Sequence, residues 1–137
     1  MWSMSSIDRE LEHMKHADEV IFLGRLNASD LQGVVASAQA LVLVSFLEGF
    51  GVPLVEAMNC DVPIITSNCT SMPEVAGNAG LLVNPQSDDD IANAMVRIAS
   101  DADLRAQLVA NARIQRQKFS WDKSAIDLWN GIERMMQ

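Results

Sequence analysis

The sequence predicts an α/β fold, a parallel sheet doubly wound by helices. Three observations carry that expectation. Between residues 19 and 100, short apolar runs at 20–23, 40–45, 62–67 and 80–83 alternate with stretches of helical periodicity, the pattern of strand–helix units. The run at 40–44 is continuously apolar, as a parallel strand buried on both faces is. Beyond residue 87, apolar positions recur at helical spacing behind Ser or Asp caps, so the chain finishes in helices.

The elements follow in order. Ile7, Leu11 and Met14 predict an amphipathic helix over 5–16. His13 and His16 fall one turn apart on it. With no third His and no Cys near in sequence, a solvated helix face explains them more simply than half a metal site. Residues 20–23 (Val-Ile-Phe-Leu) read as a strand closed by Gly24, and Ser29-Asp30-Leu31-Gln32 has the form of a capping box for a helix to about 38. The strand at 40–45 leads into Glu48-Gly49-Phe50-Gly51-Val52-Pro53-Leu54-Val55-Glu56-Ala57-Met58. Two glycines bracket an aromatic there, a tight turn in which backbone can come close to a ligand. Pro53 suits the first turn of a helix, where its missing N–H costs nothing, and 54–58 continue that helix. A helix N-terminus at the carboxyl end of a strand, in an open α/β sheet, is suited to a phosphate.

Cys60-Asp61 makes a turn, with Asp tolerant of the left-handed region. Residues 62–67 form the next strand. Ser71-Met72-Pro73-Glu74 opens a single-turn helix that Gly77 stops. Glu74 either completes that cap or faces a ligand cleft. Residues 80–83 are the last strand. Ser87 caps a helix over about 88–99, with Ile91, Met95 and Ile98 on one face. The helix dipole explains Asp88-Asp89-Asp90 in its first turn more simply than a metal clamp does. Asp101 caps a helix to about 118, with Leu104, Leu108 and Ala112 inward. Ser120 caps the last helix, where Ile126, Trp129, Ile132 and Met135 recur at helical spacing and Trp121 serves as a core anchor.

Composition narrows the function. The 137 residues are one domain's worth, with 49% hydrophobic and 20% charged residues, ordinary for a soluble protein. No apolar run is long enough to span a bilayer, and no basic region followed by an apolar run marks a secretory signal. Two cysteines are too few for a disulfide scaffold and fit a reduced, cytoplasmic setting. A net charge of −8 argues against nucleic acid and anionic lipid as direct partners.

The block Glu-Gly-Phe-Gly-x-Pro-x-x-Glu-Ala-Met resembles the signature of the retaining, nucleotide-sugar-dependent glycosyltransferases of family four, the "group 1" transferases. Val62-Pro63-Ile64-Ile65-Thr66-Ser67, Met72-Pro73-Glu74-Val75-Ala76-Gly77, Gly80-Leu81-Leu82-Val83-Asn84-Pro85 and Phe119-Ser120-Trp121 follow in the family's order. The resemblance covers roughly residues 16–125 and the spacing of Glu48 and Glu56. It departs at Asp61, where the family usually has Gly.

The resemblance implies the Rossmann-like C-terminal half of a GT-B fold, with residues 1–137 as a partial donor-binding domain. It implies that Glu48 is catalytic, bonding hydroxyls of the transferred sugar near the reacting carbon and acting electrostatically in a front-face substitution. Backbone of Gly49, Phe50 and Gly51 would hold the sugar, Val52 would belong to the donor-binding set, and Glu56 would accept the ribose hydroxyls. Gly24, Arg25 and Leu26 would touch the base, although Arg25 reads equally well as a surface cation. No metal or other cofactor is expected. The implied partners are a nucleotide-sugar donor and, through an N-terminal domain lacking here, an acceptor glycan or glycolipid.

The two strands that open such a domain, with their diphosphate-neutralising Arg and Lys, are also lacking. In the order 3-2-1-4-5-6 they lie at the centre of the sheet. Residues 20–23 are then left without a neighbour, which predicts either a rearranged sheet or a homodimer through an exposed strand edge. A non-catalytic nucleotide-sugar-binding or interaction module on the same fold is the alternative function.

Overall fold

The structure, a computed structural model, describes residues 4–136. Helix α1 (Met4–His13) and a 3-10 turn (Ala17–Glu19) precede α2 (Ala28–Ser37). Strands β1 (Leu41–Leu43), β2 (Ile64–Ser67) and β3 (Gly80–Val83) alternate with α3 (Val52–Asn59) and α4 (Met72–Ala76). Helices α5 (Asp88–Ser100), α6 (Ala102–Gln115) and α7 (Trp121–Met135) close the chain. The strands form one parallel sheet in the order β1-β2-β3, with Leu41 opposite Ile64 and Ile64 opposite Gly80.

The sheet is wound on both faces, as the sequence predicts. Neighbouring strand residues point to opposite sides, so Ile64 joins Leu54, Met58, Met72 and Val75 under α3 and α4. Ile65 joins Val83, Ala94, Ile98 and Leu108 under α5 and α6. Each of the Leu, Ile, Val and Met side chains among them contributes roughly 1.5–3 kcal/mol. Leu108 and Ala112 are buried on α6 as expected, and Leu104 packs against the second cluster. On α5, Ala94 takes the inward position predicted for Met95, which is exposed.

Local signals placed most boundaries. Ser87, Asp101 and Ser120 each accept the backbone N–H three residues on and cap α5, α6 and α7. Asp61 stands in the left-handed region at φ 57. The cap of α2, however, is Asn27 and not the Ser29 box: Asn27 accepts from the Asp30 N–H, and its amide donates to the Asp30 carboxylate. Helix α1 stops at His13, so His16 lies off it and bonds Glu19 at 3.0 Å. Strands β1 and β2 are shorter than predicted, and α6 ends at Gln115 before a 3-10 turn over Arg116–Lys118.

Two expectations fail outright. Residues 20–23 form no strand and lie exposed, Ile21 by 77%. An apolar run becomes a strand only where a ladder partner exists, and these residues do not pair with β1, so the sheet is not rearranged. The predicted apolar face of α7 is largely uncovered: Trp121 is 89% exposed, Ile126, Trp129 and Met135 are exposed with it, and only Ile132 of the four spaced positions is half-buried. Periodicity defines a face but does not supply what covers it.

Asp61 fastens α6 to the end of α3. Arg113 donates to its two carboxylate oxygens at 2.7 to 3.2 Å, and Arg116 donates to Asp61 and to the Met58 carbonyl. The hydrogen bond from Arg113 chiefly holds the Asp61 carboxyl below the usual carboxylate range. A folded-state value below the unfolded one means that this stabilisation is complete above the unfolded Asp value of about 3.9 and fades as pH falls through the folded value. Asp61→Asn, which keeps tolerance of the left-handed region, is therefore expected to lower the urea midpoint at pH 6. The same substitution should change the midpoint much less at pH 3. An equal change at both values would refute the role of the charge.

Candidate functional site

Three parallel strands deliver their carboxyl ends to one edge of the sheet, and the predicted site lies there. After β1 the chain runs through residues 44–50 to Gly51, the N-cap of α3, at φ 97 and ψ 51. This left-handed turn is open to glycine and strained for other residues. It sends Val52 and Pro53 into the first turn of α3 and buries Leu54, Ala57 and Met58. Glu56, one turn beyond Val52, is exposed; Glu48 is half-buried in the loop.

Among the described residues, no backbone carbonyl accepts from the amides of Gly49, Phe50 or Gly51. Three successive donors with no main-chain partner stand beside a carboxylate and a helix N-terminus. Such a loop can hold an oxygen-rich, anionic ligand.

The segment after β2 holds this loop from one side. Thr66 Oγ1 donates to the Leu43 carbonyl at 2.8 Å. Cys69 Sγ lies 3.7 and 3.6 Å from the carbonyls of Ser45 and Phe46. Ser71 Oγ donates to the carbonyls of Glu48 at 2.9 Å and Phe50 at 3.2 Å. Side chains thus continue the pairing of the two segments past Leu43 and Thr66, where the backbone ladder between them ends. Ser67 Oγ, buried at the same edge, has no hydrogen-bond partner among the described residues.

Ser71 therefore does not cap α4 as the sequence predicts, and no side-chain cap bond is made there. Its hydroxyl is committed to the loop after β1 instead. Glu74 is exposed in the first turn of α4, and its carbonyl accepts from Gln115. None of Thr66, Cys69 and Ser71 stood out in the sequence, because a Ser before a proline-started helix looks the same in either role.

Glu48, Gly49, Phe50, Gly51, Val52 and Glu56 are brought together on one loop and helix. Gly24, at φ 62, and Arg25 are exposed, Leu26 is half-buried, and among the described residues no hydrogen bond joins the three to that loop. Phe50 stacks edge-on against Phe119, ring centres 5.6 Å apart. Beside them a groove of about 540 Å³ runs between Val52, Val55, Lys118, Phe119 and Trp121. Neither Glu48 nor Glu56 lines it.

The chain is similar to known proteins over most of its length. It is 41% identical over 112 residues to the O-antigen chain mannosyltransferase B of Escherichia coli, covering 82% of this chain and 29% of that one. The sucrose-phosphate synthase of Thermosynechococcus elongatus superposes with a TM-score of 0.83 at 28% identity, over 96% of this chain and 34% of the other. The C-terminal domain of LpcC, a glycosyl transferase group 1 family protein of Francisella tularensis, gives 0.69 at 25% identity, over 84% and 62%. The chain thus spans less than a third of the curated relative, and its parallel sheet with flanking helices is the Rossmann-like half of a GT-B fold. The family model of the group 1 glycosyl transferases matches residues 5–115, across the Glu48–Glu56 block and all three strands, and the chain belongs to that family.

Proposed function

We propose that this chain is the donor-binding part of a retaining glycosyltransferase that moves a hexose from a nucleotide-diphosphate sugar to an acceptor hydroxyl. The observation that carries the reading is the run of three amides, Gly49 to Gly51, with no main-chain partner among the described residues, between a half-buried carboxylate and the start of α3. Transfer breaks an anomeric carbon–phosphate bond, so positive charge grows at the sugar and negative charge on the leaving diphosphate. The first turn of α3, from Val52, faces the diphosphate with its positive dipole end. Glu48 orients the sugar hydroxyls and offsets charge at the reacting carbon, so that the acceptor attacks from the face the diphosphate leaves. Glu56 accepts two ribose hydroxyls at once. Gly24, Arg25 and Leu26 take the base. The O-antigen relative suggests mannose as the hexose and polysaccharide assembly, in the cytoplasm, as the setting.

On this reading the acceptor contacts and the diphosphate cations come from sequence upstream of this chain. The free edge of β1 and the exposed residues 20–23 take two further strands from there, or else from a second copy. Sedimentation decides for the homodimer if mass doubles in the micromolar range. The chain alone then binds donor weakly, near millimolar, and does not turn it over.

Titration of the labelled chain with uridine and guanosine diphosphates, followed by NMR, tests the proposal. Shifts are expected at 24–26 and 48–56. Glu56→Ala is expected to remove about 1.5–3 kcal/mol, weakening binding roughly 10- to 100-fold. Dispersed or absent shifts would favour a non-catalytic interaction module. Turnover by the chain alone at ordinary enzyme rates would contradict the assignment of the remaining machinery to another part of the protein.

A further inference from the structure

We infer that Ser71 is a positioning residue that aims the amides of Gly49 and Gly51 into the donor site. The inference rests on the donor-binding reading above. A trans peptide is planar, with its C=O and N–H pointing in opposite directions. Every described peptide bond here is trans. The Glu48 carbonyl shares a plane with the Gly49 N–H, and the Phe50 carbonyl shares one with the Gly51 N–H. Ser71 Oγ holds both carbonyls, at 2.9 and 3.2 Å. Two amides are therefore turned away from Ser71, on alternate peptides of one loop, and neither donates to a backbone carbonyl among the described residues.

A hydroxyl has one proton, so Ser71 shares it between two acceptors two residues apart, and this closes the turn around Gly49. Gly49 needs that restraint. It is exposed, and nothing beyond its chain neighbours lies within 4 Å of the position a Cβ would take. Packing does not set the plane of its peptide, so the hydroxyl does. The Cys69 thiol and the Thr66 hydroxyl act likewise on the earlier carbonyls, but among the described residues only Ser71 reaches the two peptides whose amides flank Phe50. The hydroxyl is in turn fixed by its backbone. Ser71 stands just before α4, whose Met72 and Val75 are locked into the core.

The test compares Ser71→Ala with Ser71→Thr, which keeps the hydroxyl. Without ligand, Ser71→Ala is expected to move the amide resonances of Gly49 and Gly51 more than any others outside residues 69–73, and Ser71→Thr to restore them. With ligand, Ser71→Ala is expected to weaken GDP-mannose and UDP-glucose about tenfold while changing GDP and UDP less than about twofold. The sugar alone depends on the aimed amides, whereas a purely structural role would weaken all four alike. Thermal midpoints of both variants exclude unfolding as the cause. Equal weakening of all four ligands, or Ser71→Thr failing as Ser71→Ala does, overturns the inference. Should the unaltered chain bind none of the four, the donor-binding reading falls. The aiming of the amides is then upheld or refuted by the ligand-free resonances of Gly49 and Gly51.

Discussion

Replacing Gly77 by alanine is expected to cost about 3 kcal/mol of folding stability and to lower the thermal midpoint by roughly 10 °C. Two causes act together. Gly77 ends α4 at φ 52 and ψ −131, a conformation that L side chains rarely adopt. A Cβ there would also stand 2.7 Å from the Cδ and Oε1 of Gln115. That side chain has no room to swing. It is buried, its Nε2 donates to the carbonyls of Glu74 and Val75 at 3.0 and 3.1 Å, and its Oε1 accepts from Lys118 at 2.8 Å. Moving it strands two carbonyls at the end of α4 and loosens α6 from that helix. The double variant Gly77→Ala with Gln115→Ala separates the causes. It relieves the clash but not the backbone strain, so its loss should fall short of the sum of the two single losses. Urea denaturation of the four proteins measures this. A Gly77→Ala loss under 0.5 kcal/mol would contradict both causes.

What could be read from the sequence was what is local. The caps Ser87, Asp101 and Ser120 act within three residues, and the apolar run at 80–83 sits between a glycine and a proline, so these elements fell where expected. The glycine turn and the proline-started helix at 49–59 were legible for the same reason. Failures occurred where an element depends on something distant. Residues 20–23 have a strand's composition and no ladder to join. Trp121 and most of the apolar face of α7 have a core helix's spacing and stay exposed among the described residues. Ser71 has the position of a cap, yet its hydroxyl crosses 21 and 23 residues of sequence to reach its acceptors. The roles given to Glu48 and Glu56 came from resemblance to a family and not from spacing. The geometry puts both acids on one loop and helix, and binding experiments alone assign them their hydroxyls.

Gly51→Ala and Gly49→Ala are expected to fail in different ways, and the contrast separates what the fold requires from what a ligand requires. Gly51 is buried at φ 97, where a Cβ would meet Met72 Sδ at 3.0 Å and Leu54 Cδ1 at 3.2 Å. Left-handed strain and crowding together are expected to remove about 2 kcal/mol of stability and to tilt the start of α3, so binding is lost along with the fold's firmness. Gly49 is under no such demand. Its backbone is not left-handed and its surroundings are open, so Gly49→Ala should change stability by less than about 0.5 kcal/mol. If a sugar lies against that stretch of main chain, however, the added methyl occupies the space the sugar needs. Nucleotide-sugar binding is then expected to vanish from a protein that melts as the original does. Paired melting curves and NMR titrations read both effects. Undiminished binding by a fully folded Gly49→Ala chain would mean that no ligand approaches the loop there, and the amides beside it would lose their assigned purpose.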